Sequence, residues 1–416
     1  MLNSCADAIG ILLPNSYDTM VPELVRERLM GAIPFAGSYR LVDFILSSMV
    51  NGEIENVSLV VKENYHSLMT HLGNGRDFSP SGNSDINLIP PFANKGSIVY
   101  TGRVEAIYGI VPYLKERREK YVVVSDVNLA VNFDFKDLVD KHIASGADVT
   151  AVYTKEAIPR DLLELPADTK NLYYTLDIKG NRVTKINVNS KKKGVQDLAM
   201  NIYVLERERL IQQISEAHLQ GSIYYERDIL AKQLDELDVR GYCFEGYVAR
   251  IGSLRGYFEE NMKLLQPEYE EALFGANPIY TNSCDEDPTR YLSGACVKNV
   301  MAADGCMIDG EKLDFISSMD MASLFGNLID NAIEAVMQLS DPEKAIINLN
   351  IRSLNGIVLI HCENYYNSDL EIVDGLPVTT KEDKIYHGYG VKSIRFVVEK
   401  YDGTMSLVTE DDVFNV

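Results

Sequence analysis

The chain has 416 residues, of which 61 are Asp or Glu and 40 are Lys or Arg, so its formal net charge is −21. This acidic balance argues against nucleic acid or an anionic membrane surface as the main partner, because both require a basic protein surface. The hydrophobic fraction of 46% is typical of a folded globular protein, and the length predicts two to three domains.

No apolar run approaches the roughly 20 residues needed to cross a bilayer, and the first residues carry no apolar signal core. We therefore expect a cytoplasmic protein whose six cysteines are free thiols. None of the cysteines forms a C-x-x-C pair, and Cys284, Cys296 and Cys306 lack the spacing of metal ligands.

The first half of the chain alternates apolar strand patterns with helical patterns. The strand-like runs are ADAIGILL, VSLVVK, GSIVYT, KYVVVSDV and ADVTAVYT, and helical stretches such as VEAIYGIVPYLKERRE and FKDLVDKHIASG lie between them. This alternation predicts an α/β domain with a mostly parallel sheet flanked by helices. NLYYTLDIKGNRVTKINV then predicts a hairpin turning at Gly180-Asn181, before helices at 206–220 and 226–237.

The pattern changes after residue 270. ACVKNVMAADGCMIDG repeats small and aliphatic residues about every six positions, which is typical of β-helix coils. From residue 312, an amphipathic helix at 320–339 with Asp320 as its N-cap precedes a hairpin turning at Asn355-Gly356. A second helix, VKSIRFVVEKY, is ended by Gly403 and followed by strands TMSLVTED and VFNV. We therefore expect three regions, 1–270, 271–311 and 312–416.

The segment GAIPFAGSYRLVDFILSSMVNGEIENVSLVV, residues 31–61, resembles the nucleotidyltransferases that make ADP-glucose from ATP and glucose 1-phosphate. SLMTHLGNGRDF, AMNIYVLERERL, SIYYERDIL and IGSLRGYFEENMKLL follow in that family's order, so the resemblance covers residues 1 to about 310. It implies a Rossmann-like nucleotidyltransferase domain over 1–270 and the start of a left-handed β-helix over 271–311.

Several groups that this family needs for catalysis are missing. The family's glycine-rich GGGxGTRL loop reads PNSYDTMVP at 14–22, where side chains hold the backbone away from phosphates, and the family's Lys-Pro before A-x-P-F is Met30-Gly31. Asp126 matches the metal-binding Asp, but its expected partner is Arg250, which would repel Mg²⁺. Asn187-Val188-Asn189 stands near the place of the family's Glu-Lys-Pro, which grips the sugar phosphate.

With these catalytic groups missing, the chain resembles the GlgD-type regulatory subunits. Those subunits assemble with a catalytic ADP-glucose pyrophosphorylase subunit in glycogen synthesis. We therefore expect a noncatalytic subunit in a hetero-oligomer. Asp126 is then a remnant, and a strand-end Asp that caps a turn is an equal interpretation. Arg40 and Asp43, three residues apart, are interpreted as a structural pair. A competent nucleotidyltransferase that uses Asp126 in a rearranged metal site is the alternative.

The stretch NLIDNAIEA places Asn327, Asn331 and Glu334 on one face of a helix, and Asn364 ends a strand. With LPVTTKEDKIYHGYGVKSI, these features resemble part of the ATP-binding domain of GHKL ATPases, in the form found in Agr-type sensor histidine kinases. The resemblance implies an ATP site in which Asn331 ligates the Mg²⁺ on the phosphates and Asn364 faces the adenine.

The same resemblance assigns the segment before the second helix to phosphate binding. Thr379, Thr380 and Lys381 are expected near the phosphates, and Gly388 and Gly390 bring backbone N–H groups and a helix N-terminus toward negative charge. His387 is not expected to accept phosphate, because kinases of this family carry that histidine on a separate helical hairpin. We therefore expect no autokinase activity.

Two other interpretations remain open. In one, the chain is an ATP-sensing signalling module whose first half is a sensor or scaffold. In the other, the junction near Glu311-Lys312, which has no Pro/Gly/Ser-rich linker, is a fusion of two gene fragments without a combined function.

Overall fold

The computed structural model divides the chain into two compact units, residues 1–289 with 298–306 and residues 290–297 with 307–416. The described residues are 5–79, 82, 84–91, 100–165, 172–282, 287–292, 295, 297–298, 300–308, 316–336, 339, 344, 346–354, 357–366, 372–373, 376–377, 390–410 and 413–416.

The first unit is an α/β domain. Its strands are β1 (Ala8–Leu13), β2 (Pro34–Phe35), β3 (Tyr39–Arg40), β4 (Asn56–Val60), β5 (Asp85–Ile89), β6 (Tyr121–Asp126), β7 (Leu129–Ala130), β8 (Val149–Ala157), β9 (Tyr174–Lys179), β10 (Arg182–Val188), β11 (Val195–Glu206), β12 (Val239–Phe244) and β13 (Ala249–Arg250). Its helices are α1 (Leu41–Asn51), α2 (His66–Leu72), α3 (Arg103–Gly109), α4 (Val111–Glu116), α5 (Phe135–Ser145), α6 (Arg160–Leu163), α7 (Arg207–Leu219), α8 (Ala231–Gln233), α9 (Leu254–Lys263) and α10 (Pro267–Phe274).

A sheet of nine strands forms the centre of this unit, in the order β5-β4-β1-β6-β11-β8-β12-β10-β9. β1 runs parallel to β4 and β6, whereas β11 runs antiparallel to both β6 and β8. Among the described strands of this sheet, only β10 and β11 run against the other seven, so the prediction of a mostly parallel sheet is confirmed, with two antiparallel strands added. The predicted hairpin is confirmed at 174–188, where β9 and β10 pair in antiparallel fashion.

Both faces of the sheet are buried, as the apolar strands predict. In β1, Ile9, Ile11 and Leu13 belong to one apolar cluster, while Ala8 and Leu12 belong to the cluster on the other face. The predicted strand GSIVYT lies mainly outside the described residues.

Two of the predicted helices differ in the structure. The stretch 104–119 is broken at Ile110 into α3 and α4, because Pro112 falls in the first turn of a new helix. The predicted helix 226–237 is a π-helical turn, Glu226–Leu230, followed only by the short α8. π-helical turns frequently occur at functional sites.

The second unit holds a four-stranded antiparallel sheet, in which the strands 347–354, 357–365, 413–415 and 408–410 follow one another in space. Two helices pack on it, and their apolar residues Leu324, Leu328, Ile394 and Val397 join Cys362 in the core. The predicted 347–365 hairpin is confirmed, with its turn outside the described residues. The elements are β14 (Arg290–Tyr291), β15 (Met307–Ile308), α11 (Ser318–Val336), β16 (Ile347–Leu354), β17 (Ile357–Tyr365), β18 (Ile372–Val373), β19 (Leu376–Pro377), α12 (Gly390–Lys400), β20 (Val408–Glu410) and β21 (Val413–Asn415).

The ends of the two helices correct two predictions. Ser317, not Asp320, caps α11, because the Ser317 Oγ accepts the Asp320 N–H at 3.2 Å. Asp320 instead accepts from Lys400 Nζ at 2.7 Å, and this contact lowers the pKa of the Asp320 carboxyl. After α12, the left-handed residue is Asp402 (φ 56°) rather than Gly403, whose N–H bonds to the Val398 carbonyl at 2.9 Å.

Among the described residues, no helix combines the length and the apolar character needed to cross a membrane. The cysteines within that part of the chain, Cys5, Cys243, Cys306 and Cys362, form no disulfide.

Candidate functional site

A cavity of about 290 Å³ opens where the parallel strands β1 and β6 end, with Leu13 opposite Asp126. Ligands of open α/β sheets bind outside the carboxyl ends of the strands, so this is the expected place for a site. The residues around the cavity are Leu13, Asn15, Ser16, Tyr17, Asp18, Thr19, Lys62, Glu63, Tyr100, Thr101, Gly102, Arg103, Ala106, Asp126, Leu172, Tyr174, Asn201, Tyr224 and Glu226.

Arg103 neutralises Asp126 inside this cavity. Its Nη2 lies 2.5 Å from the Asp126 Oδ2, and its Nη1 donates to the Glu226 Oε1. The three side chains are 8%, 0% and 4% exposed. Burial raises the pKa of Glu226, and although burial opposes the charge of Arg103, Asp126 and Glu226 raise its pKa above the usual value. A fixed guanidinium thus stands where the family resemblance places a metal ion.

The loop after β1 satisfies its own polar groups. The N–H groups of Ser16, Asp18 and Met20 donate to carbonyls of residues 13, 15 and 17. The Tyr17 side chain is buried, its hydroxyl donating to the Leu172 carbonyl at 3.0 Å and accepting from Asn201 Nδ2 at 2.6 Å. A phosphate-binding loop offers free N–H groups to its ligand, and this loop instead turns a phenol toward the site.

A carboxylate within the loop adds negative charge beside the cavity. The Asp18 Oδ1 accepts the Met30 N–H at 2.7 Å, and the Oδ2 accepts from Asn15 Nδ2 at 2.6 Å. Burial raises the pKa of Asp18 to about 6, so the group is mostly ionised at neutral pH. Glu63, also on the cavity wall, lies 3.2 Å from Lys62 Nζ. Asp18 and Glu63 thus place two carboxylates on the described wall of the cavity.

Arg250 holds neighbouring strands together instead of approaching Asp126. Its guanidinium pairs with the Glu156 carboxylate at 2.8 Å and donates to the Thr154 hydroxyl at 2.8 Å and the Ala199 carbonyl at 3.2 Å. Asn187, in the expected sugar-phosphate region, donates to the Asp177 carboxylate at 3.0 Å. Neither residue presents a group that the resemblance assigns to catalysis.

Arg40 and Asp43 serve structural roles with different partners. Asp43 accepts the backbone N–H of Arg40 at 2.9 Å at the start of α1, and its Oδ1 contacts His71 Nε2 at 2.6 Å. The Arg40 guanidinium donates to the carbonyl and hydroxyl of Ser67.

Four residues of the cavity were not predicted from the sequence: Arg103, Glu226, Tyr17 and Asn201. Asn201 has φ of 56°, where the register of β11 against β8 shifts between Ala199 and Tyr203. This bulge directs the Asn201 amide to Asp126 Oδ2 at 3.0 Å. Neither Glu226 in SIYYERDIL nor Arg103 after Gly102 belongs to a recognisable sequence motif. Their role becomes evident only from their contact in the folded chain.

In the second unit, Asn331 on α11 lies against Gly390, the first residue of α12. A Cβ at position 390 would lie 2.9 Å from the Asn331 Oδ1, so a larger residue there would displace this amide. Asn327, one turn earlier, donates to the Ser323 carbonyl at 2.6 Å. The structure thus brings two of the predicted ATP residues together at the positive end of an 11-residue helix.

The remaining predicted ATP residues divide into two groups. Asn364 is 4% exposed in β17 and donates to the Tyr365 carbonyl at 2.9 Å. Thr379, Thr380, Lys381, His387 and Gly388 lie outside the described residues, as does the side chain of Glu334. An amide oxygen is a suitable Mg²⁺ ligand, and the Asn331 amide beside a helix N-terminus fits a phosphate-bound cation. Within the described ranges, no three His, Cys, Asp or Glu side chains cluster to hold a metal ion.

Comparisons with known proteins match the first and the last part of the chain to two different families. Residues 20–267 match the family model for nucleotidyl transferases, and residues 316–416 match that for the GHKL domain. The chain is 28% identical to the glycogen biosynthesis protein GlgD of Bacillus subtilis over 306 residues, 73% of this chain and 77% of that protein. Identity to GlgD of Geobacillus stearothermophilus is 30% over 309 residues, with the same two coverages. Identity to the glucose-1-phosphate adenylyltransferase of Thermomicrobium roseum is 26% over 309 residues, 73% of this chain and 70% of that enzyme.

Proposed function

The chain belongs to the nucleotidyltransferase family, and from this premise we propose that it is a noncatalytic, regulatory subunit of glucose-1-phosphate adenylyltransferase in glycogen biosynthesis. Its partner is the catalytic subunit of that enzyme, and the hetero-oligomer is cytoplasmic. The observation that carries the proposal is the buried contact between Arg103 and Asp126.

Adenylyl transfer requires a divalent cation to neutralise charge that develops on the phosphates. Asp126 is the one carboxylate matching the family's metal site, and its Oδ2 already receives Arg103 and Asn201. A metal ion at this carboxylate would meet a guanidinium a few ångströms away, and the second expected ligand is the cation Arg250. Loss of turnover follows from these contacts without any change of fold.

The test is ADP-glucose synthesis by the purified chain with ATP, glucose 1-phosphate and Mg²⁺, alone and mixed with the catalytic subunit. We expect no turnover by the chain alone, and co-elution with altered KM or kcat in the mixture. The Asp126→Asn variant is the matched control for a contaminating host enzyme. Turnover by the pure chain that Asp126→Asn abolishes would overturn the proposal.

We further propose that the region 271–311 includes the first coil of a left-handed β-helix. The parallel pairing of β14 with β15, Arg290 opposite Met307 and Tyr291 opposite Ile308, supports a coil. A coil buries its core by stacking on further coils. Residues 312–416 then follow in the chain where the family has more coils, which makes subunit assembly the first property to measure.

A second proposed activity is ATP binding by the GHKL-like unit, with Mg²⁺ held through Asn331. The observation that favours it is the Asn331 amide against the N-terminal residue of α12. Thr380, Lys381 and Gly388 are the proposed phosphate contacts, and Asn327 and Asn364 complete the site. On this proposal the chain senses ATP, and no autokinase activity is expected.

Calorimetric titration of the whole chain with ATP and Mg²⁺ tests this second activity. We expect one site per chain that Asn331→Ala abolishes. Asn350→Ala, on the exposed face of the second unit's sheet, is the matched control and leaves binding unchanged. Equal binding by wild type and Asn331→Ala would contradict the site. A chain that binds neither ATP nor the catalytic subunit would favour a fusion without combined function.

A further inference from the structure

The sheet of the second unit ends on one side at a long edge strand. β16 (Ile347–Leu354) pairs along its whole length with β17, and in the described part of the chain no strand lies on its other side. Alternate residues of an antiparallel edge strand direct their backbone N–H and C=O groups away from the sheet. These groups can pair with a further strand.

This edge lacks the features that normally keep an exposed edge unpaired. Protected edges are short, interrupted by a bulge, or carry Lys or Pro. β16 has eight residues, an unbroken register, no Lys or Pro, and Arg352 as its one charged residue. The opposite edge strand, β20, has only three residues, one of which is Glu410. The β16 edge is therefore the one suited to pairing with another strand.

The helix-facing side of β16 is incompletely covered. Ile347 packs against the core of the unit together with Ile360 and Cys362. Leu349 and Ile351 lie on the same side of the strand and remain 36% and 41% exposed. A neighbouring strand with aliphatic residues on this side would cover both, and the removal of apolar surface from water would favour its association.

A second copy of β16 meets these requirements when it runs antiparallel to the first, with a two-fold axis at Asn350. Residues directly opposite each other in an antiparallel pair lie on the same side of the sheet. Leu349 of each copy would then face Ile351 of the other, and the two Asn350 residues would face each other. This register pairs residues 347–353 of both copies, one of the two longest overlaps that a two-fold axis on the strand allows.

Charge distinguishes this register from the other long overlap, which has its axis at Ile351. With the axis at Asn350, Glu363, Asn348 and Arg352 of the second copy form one row across the strands, about 4.8 Å apart. Glu363 accepts from Asn348 Nδ2 at 2.8 Å, and Arg352 forms no ion pair with the described carboxylates. With the axis at Ile351, the row that contains Arg352 has no carboxylate. Opposite charges therefore favour the axis at Asn350.

We propose that the β16 edges form an interface between two copies of this chain, which joins two four-stranded sheets into one sheet of eight strands. The contact is isologous, so each pair of residues occurs twice around the axis. The chain has a net charge of −21, but β16 contains no carboxylate, so acidic side chains of the two strands do not meet in the contact. The inference rests on the second unit alone and goes beyond the proposed function of the chain.

Cross-linking of the whole chain tests the register. Asn350→Cys places two thiols opposite each other at the axis, and a disulfide requires Cα atoms within about 7 Å. Mild oxidation should convert most of this variant to a covalent dimer. Asn348→Cys, on the same side of the strand, is the matched control because its two thiols would lie about 14 Å apart along the strands. The wild-type chain corrects for its own cysteines. Equal cross-linking of both variants, or none by Asn350→Cys, overturns the proposal.

Light scattering of the whole chain measures the same contact without oxidation. We expect a concentration-dependent dimer whose Kd Asn350→Lys raises about tenfold or more, because two ammonium groups then meet at the axis. Val408→Lys adds the same charge on β20, where the side chain is 51% exposed, and should leave the mass unchanged. Circular dichroism checks that both variants are folded. A monomeric wild type, a mass unaffected by Asn350→Lys, or equal dissociation by Val408→Lys overturns the proposal.

Discussion

The Arg103 Nη2 lies 2.5 Å from the Asp126 Oδ2 at the carboxyl end of β6, and the other terminal nitrogen of the same guanidinium contacts Glu226. One arginine from the start of α3 thereby joins a strand end to a π-helical turn 100 residues later. The two carboxylates are buried, so their charge depends on this cation for compensation.

We predict that Arg103→Met destabilises the first unit by about 3–5 kcal/mol, because it leaves buried carboxylates without a counter-ion. Urea unfolding of the whole chain measures this loss as a lower midpoint of its first transition. The matched control is Arg160→Met, whose ion pair with Glu164 is 71% and 62% exposed and should change stability by less than about 0.5 kcal/mol. Equal effects of the two changes would contradict a special role for Arg103.

We also predict that Mg²⁺ raises the melting temperature of Arg103→Met but not that of the wild type. The variant frees Asp126 and Glu226 for a cation that the guanidinium excludes in the native protein, and a ligand bound only by the folded state stabilises it. Thermal unfolding with and without Mg²⁺ measures the difference. An equal rise of the melting temperature in both proteins would mean that Mg²⁺ binds at a site other than Asp126 and Glu226.

Gly390→Ala is predicted to abolish ATP binding by the second unit, since the new Cβ would lie 2.9 Å from the Asn331 Oδ1. Gly326→Ala, on α11, is the matched control because a Cβ there meets nothing within 4 Å. It should leave ATP binding unchanged and stabilise the helix by up to about 1 kcal/mol. Calorimetric titration with ATP and Mg²⁺ measures the ATP affinity of both variants. Unaltered ATP binding by Gly390→Ala would argue against the proposed site.

His142 should make stability depend on pH in the acid range. It is 2% exposed, its Nδ1 lies 2.8 Å from the Thr150 Oγ1, and burial lowers its pKa to about 4. Between about pH 6.5 and pH 4 the unfolded chain takes up a proton that the folded chain refuses, so stability falls as pH falls through this window.

The loss amounts to at most about 3 kcal/mol, and His142→Gln removes it while keeping an amide to bond Thr150. Unfolding midpoints of both proteins from pH 4 to pH 8 measure the effect. The difference between them should change with pH below 6.5 and stay constant above pH 7. A constant difference over the whole range would contradict the neutral, buried imidazole.

Restoring the family's carboxylate by Arg250→Asp is predicted not to restore ADP-glucose synthesis. Arg103 still holds Asp126, and the loop still lacks glycine. The change also places a carboxylate beside Glu156, so a loss of about 1–3 kcal/mol in stability is expected. Measurable synthesis by this variant would mean that Arg250 alone had silenced the site.

The sequence predicted those parts of the molecule that depend on local pattern. β1, β6, α5 and both hairpins fall where periodicity and turn residues place them, because these signals lie within a few residues. The direction of β11 and the role of Arg103 depend on contacts between distant segments, and no local pattern encodes them. Tyr17 illustrates the limit: the loss of glycine was evident, but its replacement by a buried phenol was visible only in three dimensions.

The buried arginine also has an evolutionary consequence. On the proposed noncatalytic function, a lineage that regained catalysis would have to remove Arg103, and this step taken first leaves Asp126 and Glu226 uncompensated and the fold weakened. Regaining the glycine loop first gives no activity while the guanidinium remains. Because of this contact, each single substitution toward an active enzyme is either destabilising or without benefit. Further sequence change at the cavity is therefore expected to favour uses other than catalysis.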